Sequence, residues 1–148
     1  MTVAVETITE ERCVVRNTGR MRGRSRWVAP GRTSARHLHY GRIVLAAGDA
    51  PLTFPTANHE TGLVVLRGSA TVDTEGGPYV LEQYDALYVP CRAMVEVRPG
   101  PGGCDLAEIS APVEGRTRCS SCASRTCRRT RRSTSRREGR PRSASSTC

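Results

Sequence analysis

The strongest constraint on the fold of this chain is that its apolar residues end abruptly near residue 115. From Arg116 to Cys148 there is no Val, Ile, Leu, Met, Phe, Tyr or Trp, and these 33 residues hold 11 Arg and one acid, Glu138. Such a segment cannot bury enough apolar surface to offset its conformational entropy. Any hydrophobic core must therefore come from residues 1–115, which suffice for one compact domain.

The positive charge also belongs to this C-terminal segment. Its charge of +10 exceeds the formal charge of +9 for all 148 residues, whereas residues 1–115 carry 12 Arg against 13 acids. All 23 basic residues are Arg, which we interpret as a sign of GC-rich bacterial coding. A basic tail could contact phosphates, but it has no aromatic residue to stack on bases, so binding to nucleic acid is not expected.

Residues 40–115 have the rhythm of short β-strands. Val and Leu alternate with polar residues, as in Met94-Val95-Glu96-Val97-Arg98, and no window keeps a helical apolar period over ten residues. Strands are predicted in GRIVLAAG, in ALYVP before Pro90, in AMVEVRPGPGG and in CDLAEISAP. Two more, in GLVVLRGSATVDTEGGPYVL, are joined by a turn at Gly76 and Gly77.

The pattern predicts three segments and an all-β sandwich or barrel. Residues 1–39 form an N-terminal arm, with an edge strand at 2–7 and an irregular loop at 16–36. Residues 40–115 form the barrel. Residues 116–148 form a disordered tail rich in Arg and Ser.

Three signals in residues 40–115 carry a family resemblance. They are a Gly-Leu-Val-Val-Leu strand closed by Gly68 and followed by Ala-Thr-Val, the Gly76-Gly77 hairpin, and Asp-Ala-Leu-Tyr-Val-Pro ending at Pro90, with a later Ser-Ala-Pro. These residues resemble the N-terminal cupin of the bacterial uronate ketol-isomerases. That family joins 5-keto-4-deoxyuronate isomerase with 5-deoxyglucuronate isomerase of inositol catabolism.

The resemblance implies a cupin-type jelly-roll barrel and an aldose–ketose isomerase that acts on a sugar acid. Enzymes of this family have two cupins and about twice this length, with the divalent metal in the second cupin. This chain would then hold only the first, metal-free cupin and be inactive alone. The alternative is a small non-catalytic cupin with a ligand-binding or regulatory role.

The residues at the usual cupin metal positions support this expectation. Counted from Gly68, the acid position falls on Thr61, and the two His positions fall on Phe54 and Thr56, or on Pro55 and Ala57. Counted from Pro90, the glycine of the second motif falls on Arg92 and its His on Val95. Since a metal needs about three well-placed donors, no metal is expected at these positions.

A non-standard site remains possible from the three histidines that the chain contains. His37 and His39 would share a face if they lie on a strand, and His59 and Glu60 could complete a ligand set. The alternative, which we favour, is that these side chains are exposed or hydrogen-bonded outside the barrel.

The tail has three interpretations: a nucleic-acid arm, a plain disordered segment, or the product of a frameshift in GC-rich DNA. We favour the frameshift, because the composition changes abruptly where the family continues toward its second cupin. Cys119 and Cys122 form half of a zinc motif, but no second pair with suitable spacing follows.

The remaining expectations concern partners and location. A sugar-acid ligand and a homo-oligomer formed through the sheet are expected. The chain shows no signal peptide and no apolar run of about 20 residues that could span a membrane. A cytoplasmic location with reduced Cys13, Cys91 and Cys104 is therefore expected.

Overall fold

The computed structural model describes residues 8–115. The edge strand expected at residues 2–7 and the tail at 116–148 lie outside the described residues. A four-residue helix, α1 (Glu10–Cys13), precedes seven strands: β1 (Gly23–Val28), β2 (His39–Leu45), β3 (Leu52–Pro55), β4 (His59–Thr74), β5 (Gly77–Leu81), β6 (Ala86–Val89) and β7 (Met94–Pro112). The all-β prediction is confirmed.

Two long strands, β4 and β7, organise the whole barrel. All pairings between named strands are antiparallel, with neighbours in the order β1-β2-β7-β4-β5, while β3 joins β7 and β6 joins β4. The first half of β4 pairs with β6 and the second half of β7, and its second half pairs with β5 and the first half of β7. The seven strands thus form one continuous sheet, which curls on itself as in a jelly roll.

Two glycines allow β4 and β7 to bend, so that the sheet curls on itself. Gly68 in β4 has φ +74°, Gly103 in β7 has φ +78°, and a Cβ on Gly68 would lie 2.1 Å from the carbonyl oxygen of Gly103. Only glycine combines this backbone conformation with so close an approach. The prediction of two separate strands in AMVEVRPGPGG and CDLAEISAP is wrong, because the Pro/Gly cluster at residues 99–103 only bends a single strand, which stays paired on both sides of the bend.

The irregular loop expected at residues 16–36 contains a strand that the sequence analysis missed. β1 runs from Gly23 to Val28 and pairs with β2, with Arg24 opposite Ile43 and Arg26 opposite Gly41. Most residues of β1 are polar, so the strand lacks the alternation of apolar and polar side chains that predicts a strand. Gly41 is required there, because a Cβ on it would lie 2.4 Å from the carbonyl oxygen of Ser25.

The core lies inside the curled sheet, and its side chains are aliphatic apart from the Phe54 ring and the Cys104 thiol. The hairpin predicted at Gly76-Gly77 and the strand ending before Pro90 are confirmed as β4–β5 and β6. Every second residue of β2, of β4 on either side of its bend, and of the first half of β7 points inward. The buried core consists of Ile43, Leu45, Phe54, Leu63, Val65, Ala70, Val72, Leu81, Val89, Ala93, Val95, Val97, Cys104 and Leu106.

Candidate ligand site at the mouth of the barrel

One end of the barrel has a polar lining, which we call the mouth cluster: Arg24, Arg26, His39, His59, Thr61, Glu108 and Ser110. Strand register places these residues together. His39 and Thr61 both lie opposite Ser110, and Arg26 and Glu108 both lie opposite Gly41. Residues directly opposite in an antiparallel pair project to the same face, which here is the face of the buried core residues.

An ion pair closes the inner end of the mouth cluster. Arg24 donates from Nε to Oε2 and from Nη2 to Oε1 of Glu108, both at 2.7 Å. The Glu108 side chain is 6% exposed and that of Arg24 is 29% exposed. The guanidinium carbon of Arg24 also lies 3.9 Å from the centre of the Phe54 ring, so a cation–π contact adds to the ion pair.

Two histidines lie side by side at the mouth. The rings of His39 and His59 meet edge to face, with centroids 4.7 Å apart. Burial lowers the pKa of both imidazoles, and the positive charge of Arg26 lowers the pKa of both further. Both shifts favour the neutral form of the rings at pH 7, although the nearby Glu108 carboxylate acts in the opposite direction on each pKa. The Nδ1 atom of His39 is buried and has no hydrogen-bond partner among residues 8–115.

Arg26 lies at the outer end of the cluster and is exposed. Its side chain has no carboxylate partner in the described part of the chain, whereas Arg24 is paired with Glu108. The cluster therefore presents one unpaired guanidinium beside two neutral imidazoles and an ion pair of zero net charge.

The expected cupin metal positions lie inside the barrel and lack donors suited to a metal. Phe54 and Thr56 are buried, whereas Pro55 and Ala57 are exposed. Of the two alignments of the cupin motif, the one through Phe54 and Thr56 therefore points into the barrel. Thr61 and Val95 are buried too. The Thr56 hydroxyl already donates to the carbonyl oxygen of Pro90 at 2.9 Å and accepts from the backbone N–H of Ala93 at 2.9 Å. The side chains of Phe54 and Val95 offer no donor atom, so these positions do not fit a divalent metal.

The second motif keeps its backbone shape although its residues differ. Arg92, at the position of the motif's glycine, has φ +59°, a conformation that glycine adopts most readily. This agreement supports the alignment that places Val95 at the expected ligand position.

The structure brings together only two of the four residues considered for a non-standard metal site. β2 begins at His39, so His37 lies on an exposed bend before the strand and does not share its face. Glu60 follows His59 on β4 and therefore points to the outer face, where its Oε2 accepts a hydrogen bond from the Tyr88 hydroxyl at 3.2 Å. No group of three His, Cys, Asp or Glu residues suited to a metal occurs within residues 8–115.

Sequence reasoning missed four members of the mouth cluster: Arg24, Arg26, Glu108 and Ser110. A signal was present in the alternation Arg-Ser-Arg and in a single acid within the apolar run Leu-Ala-Glu-Ile. A lone charge in a buried strand usually has a partner, but the partner lies 84 positions away in the chain.

The outer face of the same sheet carries a shallow apolar groove. It has a volume of about 270 Å³ and is lined by Leu38, Gly62, Tyr88 and Ile109, among others. Leu38, Tyr88 and Ile109 are 49%, 57% and 41% exposed. Such a surface is compatible with the homo-oligomer expected through the sheet, which stays a prediction. No helix in the described range is long and apolar enough to cross a membrane.

Comparison with protein families and known sequences gives one match. A model of the KduI/IolB family matches residues 13–142, which includes every described strand and part of the arginine-rich tail. No curated protein sequence matches the chain significantly.

Comparison with solved structures shows cupin folds. The chain is similar to the Cnp3 cupin domain of Schizosaccharomyces pombe (TM-score 0.52, 13% identity, 61% of this chain and 64% of that chain). It is also similar to KdgF from Halomonas sp. (0.51, 17%, 61% and 77%) and to a cupin protein from Bacteroides fragilis (0.52, 16%, 63% and 83%). The chain thus spans slightly less than two thirds of the first of these, and at such identities the likeness shows the cupin fold alone.

Proposed function

The chain belongs to the KduI/IolB family, and we propose that it supplies the first, metal-free cupin of a sugar-acid aldose–ketose isomerase and is inactive alone. The observation that carries this proposal is the chemistry of four buried positions. Motif spacing assigns Phe54, Thr56, Thr61 and Val95 to the positions where a metal-binding cupin has its ligands. All four are buried, and their side chains do not make a ligand set.

The chemistry of such an isomerase explains why a barrel with these residues would need a second site. The reaction moves a proton between adjacent carbons through an enediol, and the developing negative charge on oxygen must be stabilised. In the mouth cluster the carboxylate of Glu108 is held by Arg24, so it is not free to abstract a proton. The remaining groups, Arg26 and two neutral imidazoles, are better suited to binding than to this reaction.

The mouth cluster also favours the second candidate function, a small cupin that binds a ligand without catalysis. This candidate predicts binding by the purified chain in the absence of a partner. The two functions are compatible, since a first cupin that binds ligand could still depend on a second barrel for chemistry. The cytoplasmic location expected from the sequence stays a prediction.

Metal analysis and an activity assay on the purified full chain test the proposal. We expect well below one Mn, Zn or Fe per chain and no isomerisation of 5-keto-4-deoxyuronate or 5-deoxyglucuronate, with a two-cupin family member as the positive control. The proposal would be overturned if the purified chain showed isomerase activity and bound stoichiometric metal, and if the His39→Ala/His59→Ala variant lost both.

The coding DNA tests our proposal for the tail. If the tail arose by a frameshift, the other frame past the Gly115 codon should encode an apolar and acidic stretch and should lack early stop codons. An alternative frame with early stops would show that the arginine-rich tail is the genuine continuation.

A further inference from the structure

We propose that the open edge of β1 binds an acidic segment of a partner protein, which adds to the sheet as an extended strand and pairs its carboxylates with Arg26 and Arg32. This inference goes beyond the proposed function, because it concerns the edge of the sheet and does not require the chain to be part of an isomerase. It rests on the backbone groups that β1 leaves free and on an excess of positive charge along the same arm.

The strand β1 has one open side. In the described part of the chain it pairs only with β2, and it stands at the end of the strand order. The carbonyl oxygen of Ser25 faces β2, since a Cβ on Gly41 would lie 2.4 Å from it. The carbonyl oxygen of Arg26 instead accepts a hydrogen bond from the Arg32 guanidinium of the following loop. Because successive residues of a strand direct their backbone groups to opposite sides, the backbone groups of Arg24 and Arg26 face the open edge.

The arm around β1 carries an excess of positive charge. From Arg12 to Gly48 the sequence has nine Arg and no Asp or Glu. Some of these arginines form ion pairs with carboxylates from elsewhere in the chain: Arg16, Arg22, Arg24 and Arg42. Others are exposed and have no carboxylate partner among the described residues: Arg20, Arg26, Arg32 and Arg36. Such an edge repels a second copy of itself and attracts a partner of opposite charge.

An open edge and unpaired guanidiniums together fit an acidic peptide strand. A strand that adds to a sheet edge takes its affinity from main-chain hydrogen bonds and its specificity from alternate side chains. The exposed guanidinium of Arg32 can turn from the Arg26 carbonyl to an incoming carboxylate, with which it forms a stronger, charge-assisted hydrogen bond.

Nucleic acid fits the same surface less well. Its backbone offers no alternation of donors and acceptors that matches a strand edge. The aromatic ring of the arm is also not free to stack on bases. Trp27 is half-buried, its Nε1 atom is buried, and the guanidinium carbon of Arg32 lies 6.0 Å from the centre of its ring.

The test is an NMR titration of the isotope-labelled full chain at pH 7.5 and constant ionic strength. It is followed through the backbone amide signals of β1 and the indole N–H signal of Trp27, the single tryptophan of the chain. The probe is a short peptide in which Glu alternates with Thr. One matched peptide has Gln in place of every Glu, and another keeps every Glu but has Pro in place of the central Thr, which removes a strand hydrogen bond.

We expect saturable shifts of these signals with the acidic peptide, and binding weaker by about tenfold or more with each matched peptide. Hydrogen exchange of the Arg24 and Arg26 amides should slow in the complex, because an added strand would accept hydrogen bonds from them. Binding of the peptide to the arginine-rich tail alone would change neither the β1 signals nor this exchange.

Variants decide whether the two arginines are responsible. Arg26→Gln/Arg32→Gln should weaken binding of the acidic peptide by about tenfold or more. Arg128→Gln/Arg129→Gln, which removes the same charge from the tail, should bind as the unmodified chain does. The peptide with Pro tests strand pairing without any variant, so it decides the matter if the first variant does not fold.

Several results would overturn the proposal. These are no shift of the β1 signals with the acidic peptide, equal binding of the peptide with Pro, or unchanged affinity in a folded Arg26→Gln/Arg32→Gln variant. Slow exchange of the Arg24 and Arg26 amides in the free chain would show that the chain itself or a second copy already covers the edge. Oligothymidylate that shifted the β1 signals at lower concentration than the peptide would identify a nucleic-acid surface instead.

Discussion

Arg24 and Glu108 form a two-point ion pair across the mouth of the barrel, although 84 positions separate them in the chain. The pair joins β1 at the edge of the sheet to β7 at its centre, and it lies against the ring of Phe54. Phe54 is also one of the positions where motif spacing predicts a metal ligand, so the guanidinium of Arg24 lies against that expected position.

The first prediction concerns the stability of this pair. Arg24→Leu should lower the free energy of unfolding by about 3 kcal/mol, because it leaves the buried Glu108 carboxylate without a partner. The double variant Arg24→Leu/Glu108→Leu should recover most of that loss, since replacing both ions with apolar groups is often nearly neutral. Urea denaturation of the three proteins gives the values, and a double variant no more stable than the single one would contradict the prediction.

The second prediction concerns the pH dependence of stability. The pKa values of His39 and His59 are lowered by burial and by Arg26 from the ordinary 6.5, so the unfolded chain binds protons more readily than the folded one. The contribution of the neutral histidines to stability is fully present above pH 6.5. It is lost as pH falls from the pKa of the unfolded chain toward the lowered pKa of the folded chain. Thermal denaturation across this range should show that Tm decreases as pH is lowered.

Matched variants attribute this pH effect to the histidine pair. The variant His39→Gln/His59→Gln should reduce the dependence of Tm on pH just below 6.5, while His37→Gln, on the exposed bend, should leave it unchanged. A dependence that is the same in all three proteins would contradict the assignment.

The third prediction concerns the bend of β4. Gly68→Ala places a methyl group 2.1 Å from the Gly103 carbonyl oxygen in addition to the strained φ of +74°, so it should cost well above the roughly 1–2 kcal/mol of left-handed backbone alone. Gly31→Ala, with φ +81° and open space around it, should cost only the backbone share. Gly102→Ala, also in open space, should stay within about 0.5 kcal/mol. Urea midpoints measure all three, and equal losses at Gly68 and Gly31 would contradict the close approach.

The fourth prediction concerns cysteine reactivity. Burial raises the pKa of the Cys104 thiol to about 11, and the residue is 5% exposed, whereas Cys13 is exposed. Because the thiolate is the reactive form, iodoacetamide at pH 8 should alkylate Cys13 while Cys104 stays protected. Peptide mass mapping distinguishes the two sites, and adding urea should make Cys104 reactive. Rapid alkylation of Cys104 without urea would contradict its placement in the core.

Local patterns were enough to predict the β-class and much of the strand layout. The alternation Met94-Val95-Glu96-Val97-Arg98 reappears as the first half of β7, with Val95 and Val97 fully buried. The Gly76-Gly77 hairpin and the bend at Gly68 also follow from single residues, because a positive φ favours glycine wherever it occurs. The resemblance located the positions of Phe54, Thr56, Thr61 and Val95, all of which lie inside the barrel.

Features that depend on pairing between strands far apart in the chain could not be predicted from local patterns. The Pro/Gly cluster near Gly103 has the composition of a chain reversal, yet pairing with β2 and β4 on either side keeps it within one strand. Glu60 follows His59 directly in the sequence and therefore looks like a fourth metal ligand, but the alternation of a strand places its side chain on the opposite face.

The sequence by itself determined where a core could form, since apolar residues end near Gly115, and it determined that this core would be made of strands. Only the tertiary structure decided which charges meet. The register of β1, β2, β4 and β7 places Arg26, His39, His59 and Glu108 at one mouth. The reason is that register between strands far apart in the chain depends on the packing of the whole barrel, whereas turns and alternation depend on neighbouring residues.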